Sequence, residues 1–216
     1  MRIAVIAANG RAGQAFVEAA LVAGHTVKAG VRGKSYLKPH PELTLVNCDA
    51  TNETDLANLL KGQDVVASFI GHVKGSQADV QTVTMQKVVK VMQGLGLKRL
   101  VSLTGTGVRS PGDKITLVDR VLNISIGIID SARVRDGRNH AEVLKRSNLE
   151  WTVIRVLKLQ NVAPKPFQLL EHGPTKMYVG RQEVAQAVLK VLEEKSFIRQ
   201  MPIIANPQVN LRQNKI

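Results

Sequence analysis

Several things are scarce in this chain. It has one cysteine in 216 residues, Cys48, which excludes an internal disulfide framework and any metal cage built on cysteine. Cys48 closes an apolar run, where buried filler is the expected role. The five histidines, at 25, 40, 72, 140 and 172, show no ligand spacing, and nothing argues for a metal. No apolar run approaches the length of a membrane span, and the N-terminus lacks the basic start, apolar middle and cleavage site of a signal peptide. The expectation is a soluble, cytoplasmic protein without a membrane partner.

Acids are scarce too, 17 against 30 basic residues, for a formal net charge of +13. Such an excess favours anionic partners: nucleotides, acidic metabolites, nucleic acid. Between Val80 and Gly112 there are five basic residues and no acid, and the last 22 residues carry four more with no acid. Aromatics are only 3% of the chain, so neither stretch has the interleaved rings on which a single-strand binder stacks bases. Nucleic acid would rest on net charge alone, and a solvated basic surface is the preferred reading.

What is present is a core. Hydrophobic residues make up 44% of a chain whose length suits one domain, residues 1–216. Arg2-Ile3-Ala4-Val5-Ile6 reads as a strand and runs into Ala7-Ala8-Asn9-Gly10-Arg11-Ala12-Gly13, after which a helical pattern begins. Gly10 allows backbone to approach a diphosphate, and Gly13 lets the helix sit close to the strand. The helix N-terminus offers free N–H groups and partial positive charge to an anion. The full dinucleotide fingerprint has a third glycine where this chain has Ala7. Glycines also close ordinary turns, and the chain has 17 of them.

The pattern then alternates. Gln14 to Ala23 is helical and Gly24 closes it; Thr26 to Val31 is a second strand, ending in Arg32-Gly33-Lys34. An acid at that end would suit a ribose 2′-hydroxyl; Arg32 suits a 2′-phosphate and points to NADP(H), the alternative being a solvated basic loop. Leu43 to Val46 is a third strand. Asp49 follows, placed for adenine or as cap of the helix from Glu53 to Lys61. Asp64 to Gly71 is a fourth strand, whose end should reach the ligand side of the sheet. Gln77 to Gln93 is helical, Leu97 to Leu103 a fifth strand, Lys114 to Ile129 a helix, Asp136 to Ser147 a helix and Trp151 to Val156 a sixth strand. Asn161 to Pro174, with three prolines, reads as a loop or small lid. Arg181 to Glu194 is an amphipathic helix, and Met201 to Ile204 a last edge strand before a polar tail. Repeated strand–helix alternation with short connections implies an α/β fold with a doubly wound parallel sheet.

The order of motifs resembles one family. The opening AxxGxxG, the Val-Arg after the second strand, Cys48-Asp49-Ala50, Arg99 to Thr104, and above all Glu142 to Arg155 are similar to the NAD(P)H-binding atypical short-chain dehydrogenase/reductases. That group includes NmrA-like proteins and the biliverdin/flavin reductases. The resemblance spans residues 1 to about 205. It implies a Rossmann-like sheet with a small C-terminal substrate-side extension, residues 157–180 forming the substrate-side loop. It implies that Asn9, Gly10, Arg11, Ala12 and Gly13 hold the diphosphate and Arg32 the 2′-phosphate. Asp49 and Ala50 would lie by adenine, Phe69, Ile70 and Gly71 would line the ribose, and Thr104 and the segment after Arg155 would lie near the nicotinamide.

Many relatives use a tyrosine as proton donor with a lysine four residues later. By similarity these fall near Arg133 and Gly137, and this chain has neither. Its only tyrosines, Tyr36 and Tyr178, lack a lysine at that spacing, and Val156 stands where a proline commonly follows the family's arginine. Two readings follow. One is an NADPH-dependent oxidoreductase passing hydride to a small electron-poor acceptor such as a flavin or quinone, which needs no dedicated tyrosine; Thr104, Thr106, Arg133 and His140 are its candidate polar helpers, Thr104 and Arg133 foremost. The other is an NADP(H)-sensing regulator of NmrA-like type that has lost catalysis. Exposed helix faces leave room for a homodimer.

Overall fold

The fold is built around a strand buried on both faces. In β1 (Arg2–Ile6), Ile3 and Val5 enter one apolar layer, while Ala4 and Ile6 enter the other. Successive side chains of a strand alternate in direction, so a strand apolar at consecutive positions belongs in the middle of a covered sheet. The computed structural model describes residues 1–114, 117, 120, 121, 124 and 130–207. After β1 come α1 (Arg11–Val22), β2 (Thr26–Val31), β3 (Leu43–Asn47), α2 (Glu53–Leu60), β4 (Val65–Ser68), α3 (Val80–Gly94) and β5 (Arg99–Gly105). Then follow α4 (Ser131–Lys145), β6 (Glu150–Val156), β7 (Lys158–Gln160), β8 (Gln168–Leu170), β9 (Tyr178–Gly180), α5 (Arg181–Glu193) and β10 (Ile203–Ala205).

Eight strands form one sheet in the order β3-β2-β1-β4-β5-β6-β10-β8, parallel except for β8. Order runs outward from β1 in both directions, the doubly wound α/β arrangement expected from the alternation. On one face α1 and α5 pack through Phe16, Val17, Ala20, Val184, Val188 and Val191. On the other α2, α3 and α4 pack through Leu56, Leu59, Leu60, Met85, Val88, Met92, Ala141 and Leu144. Each fully buried side chain of this size contributes roughly 1.5–3 kcal/mol, and Phe16 adds a tilted ring contact with Phe69 at 5.1 Å.

Local chemistry sets the ends of the elements. α1 begins at Arg11, three residues before the expected Gln14, because Gly10 is extended (φ −66°, ψ 150°) and serves as its N-cap. α2 is capped by Asn52, whose Oδ1 accepts from the amides of Thr54 and Asp55 at 2.8 and 3.2 Å. Asp49 is therefore not that helix's cap. α4 starts at Ser131, five residues before the expected Asp136, because Asp130 accepts from the Arg133 amide. β4 ends at Ser68, three residues short of the expected Gly71.

Two expectations are corrected. The proline-bearing stretch from Asn161 to Pro174 contains β8, and β8 rather than β10 is the sheet edge: β10 lies between β6 and β8. β7 and β9 pair in parallel as a separate two-stranded sheet, in register from Lys158 with Tyr178 to Gln160 with Gly180. The expected helix from Lys114 to Ile129 falls largely outside the described residues, as does the tail beyond 207.

Gly13 shows what the first turn requires. A Cβ on Gly13 would lie 2.5 Å from the Ala7 carbonyl oxygen and 2.9 Å from Ala8 Cα, both backbone, so something would have to shift. Helix propensity favours alanine over glycine by about 1 kcal/mol. At this position the sign reverses: Gly13→Ala is expected to destabilise the fold by about 1–3 kcal/mol, read as a lower denaturant midpoint. A gain in stability would mean that helix and turn are not packed this closely.

Candidate functional site

The carboxyl ends of β1, β2, β3, β4 and β5 bring most of the expected residues to one edge of the sheet, where parallel α/β folds collect ligands. Ala7 leaves β1 with φ +59°, in the left-handed region that favours glycine. This is the position of the fingerprint's missing glycine, and alanine holds the same turn there at a cost of about 1 kcal/mol. No side chain caps α1. Its first-turn amides, on Arg11, Ala12 and Gly13, are accordingly open to an anion.

The Asn9 side chain is engaged within the protein. Its Nδ2 donates to the Lys34 carbonyl at 2.6 Å and its Oδ1 accepts from the Tyr36 amide at 2.9 Å. It ties the β1–α1 turn to the loop that carries Arg32. Arg32 is exposed and makes no hydrogen bond or ion pair with the described residues. Its charge reaches Asp49, whose carboxyl is held below its usual range first by hydrogen bonds from the Thr51 hydroxyl and amide (2.7 and 2.9 Å), with Arg32 and Lys87 adding attraction. Asp49 thus closes a tight turn with Thr51 and is half-buried, with Ala50 buried beside it.

Beyond β4, Phe69 is buried against Phe16, Ile70 is half-buried with its carbonyl accepting from Gln81 Nε2 at 3.1 Å, and Gly71 is exposed with open space where a Cβ would stand. Thr104, near the end of β5, is 5% exposed and its hydroxyl has no hydrogen-bond partner among the described residues. It lies under Gly137 of α4, where a Cβ would come within 2.7 Å of the Thr104 Oγ1 and 3.2 Å of a Val108 methyl. A side chain at 137 has no room. Arg133, one turn earlier, is exposed and pairs with Asp130 at 3.0 Å, and no contact joins it to Thr104.

Three features add to these. The first turns of α1 and α5 open on a cleft of about 470 Å³ lined by Arg11, Gln14, Asn161, Arg181 and Gln182. α5 also lacks a side-chain cap, and burial followed by the like charge of Arg11 lowers the pKa of Arg181. The second is the buried carboxylate of Asp136, reached by His72 and by the first turn of α3. The third is Arg155, 0% exposed, which donates to both carboxylate oxygens of Asp113 and to the carbonyls of Val108, Glu171 and Met201.

Residues 7–195 match the model of a family described as NAD(P)H-binding. The chain belongs to that family. No curated protein matches it. Among solved structures, a short-chain dehydrogenase/reductase from Veillonella parvula in complex with NADP superposes with a TM-score of 0.80 at 20% identity, over 96% of this chain and 95% of its own. An anaerobilin reductase from Escherichia coli O157:H7 gives 0.75 at 16% identity over 97% and 98%. A Streptococcus pneumoniae protein bearing the name NADH-flavin reductase gives 0.72 at 21% identity over 96% and 100%. At these identities the likeness shows the fold, a Rossmann-like NAD(P)-binding sheet. Among the described residues of this NAD(P)H-binding chain, no helix is long and apolar enough to cross a membrane.

One buried group has a readable effect on stability. His140 is 2% exposed, its Nε2 lies 3.1 Å from the Ser102 hydroxyl, and burial pushes its pKa down from 6.5 to about 4, with Asp136 opposing. The folded state refuses a proton that the unfolded chain accepts. Stability is then complete above about pH 6.5 and falls toward pH 4, by roughly 3 kcal/mol over that window. Urea titrations across pH 4–7 should show this slope in the wild type and a flatter one in His140→Gln. Parallel slopes would mean that His140 titrates normally.

Proposed function

We propose that the chain is an NADPH-dependent oxidoreductase that passes hydride to a small, electron-poor acceptor such as a flavin or quinone. The observation that carries the reading is the uncapped first turn of α1, tied through Asn9 to a loop whose Arg32 makes no hydrogen bond or ion pair among the described residues. The donor set fits a phosphorylated dinucleotide. Gly10, Arg11, Ala12 and Gly13 would receive the diphosphate on backbone N–H groups. Arg32 would take the 2′-phosphate, and Asp49 and Ala50 would border adenine. Phe69, Ile70 and Gly71 would border the ribose and Thr104 the nicotinamide.

Bound NADPH supplies the hydride. The chain orients, excludes water and compensates charge. Gly137 and Thr104 support a reaction that runs without the tyrosine–lysine pair: at 137, where relatives carry the lysine, a Cβ would already press on Thr104 and Val108. Flavins and quinones are such acceptors, because they take hydride directly. Arg11 and Arg181 outweigh the single acid, Glu18, in the lining of the cleft between α1 and α5 and give it an anion-seeking character. Residues 157–180, pinned by β7, β8 and β9, would form the acceptor side.

The test is loss of reduced-nicotinamide absorbance with NADPH and a panel of flavins, quinones and aldehydes. Turnover of flavin or quinone without aldehyde supports the reading. Tight NADPH binding with no turnover would replace it with the NADP(H)-sensing regulator, for which the absent tyrosine and lysine also speak. Cofactor choice is tested separately: Arg32→Ala should weaken NADPH about 10–100-fold, as loss of a charge-assisted contact of roughly 1.5–3 kcal/mol implies, and leave NADH within about twofold. Equal losses would remove Arg32 from the site.

A further inference from the structure

We propose that His72, held by Asp136, delivers the proton that the reduced acceptor requires; this rests on the reductase reading above. Asp136 is 2% exposed, yet every contact made to it is defined. One oxygen accepts from His72 Nε2 at 2.8 Å and from the Gln81 amide at 2.9 Å. The other accepts from the Thr82 amide at 2.9 Å and from the Thr82 hydroxyl. A carboxylate gripped from so many sides cannot turn.

That grip fixes the imidazole. An ionised carboxylate only accepts, so Nε2 of His72 must carry a hydrogen, and proton exchange is left to Nδ1. The His72 side chain is about 10% exposed, and its Nδ1 makes no hydrogen bond within the described residues. It is therefore nine-tenths enclosed, with one nitrogen uncommitted.

Its surroundings place it at the reacting end of the site. His72 directly follows Gly71, beyond the carboxyl end of β4. Asp136 is followed by Gly137, whose Cβ position is 2.7 Å from the Thr104 hydroxyl and 3.8 Å from Gln81 Oε1, and Gln81 donates in turn to the Ile70 carbonyl. His72, Gln81, Asp136 and the unpartnered Thr104 hydroxyl thus form one polar wall between the ends of β4 and β5. His140 lies one turn further along α4, buried with its Nε2 on the Ser102 hydroxyl.

The balance is simple. The acceptor gains two electrons with the hydride and becomes an anion. The Nδ1–H bond of the imidazolium breaks, its proton bonds to that anion, and neutral imidazole remains until solvent returns a proton. The sum is NADPH, acceptor and one proton giving NADP⁺ and the reduced acceptor.

His72→Gln keeps a donor toward Asp136 but holds no exchangeable acid. Its expected effect is a fall in kcat of about 10²–10³ with NADPH affinity within twofold, and a larger fall for acceptors whose reduced form is the stronger base. Free imidazole should partly restore His72→Ala, which a structural role would not predict. Independently of turnover, NADP⁺ should slow carbethoxylation of His72 by diethyl pyrocarbonate, followed on the peptide by mass spectrometry. Turnover of His72→Gln within threefold of wild type, or modification unaffected by NADP⁺, overturns the proposal. Absence of turnover in the wild type is a different result: it removes the reductase reading itself and this step with it.

Discussion

The guanidinium of Arg155 is the contact on which the ligand side of the molecule depends. It sits on β6 with no solvent exposure, and it reaches three segments at once: the turn after β5 through Val108 and Asp113, residues 157–180 through Glu171, and the approach to β10 through Met201. Removing a charge from water costs several kcal/mol, recovered only when every donor finds an acceptor in good geometry. Here the planar fork is filled by one carboxylate and three carbonyls. Burial by itself would raise the Asp113 carboxyl, but Arg155 and the Ser110 amide outweigh it and hold it below its usual range. The pair is a constraint on geometry more than a source of stability.

A second buried pair repeats this logic on the other side of the same region. Glu183, on the first turn of α5, is 1% exposed and accepts from Lys176 at 2.6 Å and from the Lys165 amide at 3.1 Å. With Arg155 it fastens both halves of residues 157–180. Arg99 uses no carboxylate contact at all: its guanidinium donates to the carbonyls of Glu150, Val191 and Ser196 and to the Thr152 hydroxyl, and burial lowers its pKa to about 10. The opposite ends of β5 and β6 are thus each tied by a buried arginine.

The parts legible in the sequence were those written in local pattern. β1, β2, β6 and α5 announced themselves by apolar period, and the β1–α1 turn by glycines whose spacing has a steric cause, visible in the 2.5 Å approach at Gly13. α4 was read late because Arg133, Arg135, Arg138 and Asn139 blur its apolar stripe. β7, β8 and β9 were missed because three residues make no period; they are strands only through partners far along the chain. The same holds for the site. Arg32 and Asp49 follow strand ends and can be counted to, whereas His72 and Asp136 lie 64 positions apart and meet only after α3 and α4 have packed.

The pairing of β7 with β9 gives residues 157–180 an unusual relation to the rest. Their first and last strands pair in parallel outside the main sheet, so the two ends lie side by side, while β8 between them forms the sheet edge on β10. Closing a longer segment over the same ends costs only about 0.6 kcal/mol for each doubling of length. The region is in effect a cassette with one fixed stitch: the stretches between β7 and β8 and between β8 and β9 can be lengthened or shortened while β8 keeps its place on β10. Variation at that end of the sheet is then a matter of rewriting the two loops on either side of β8.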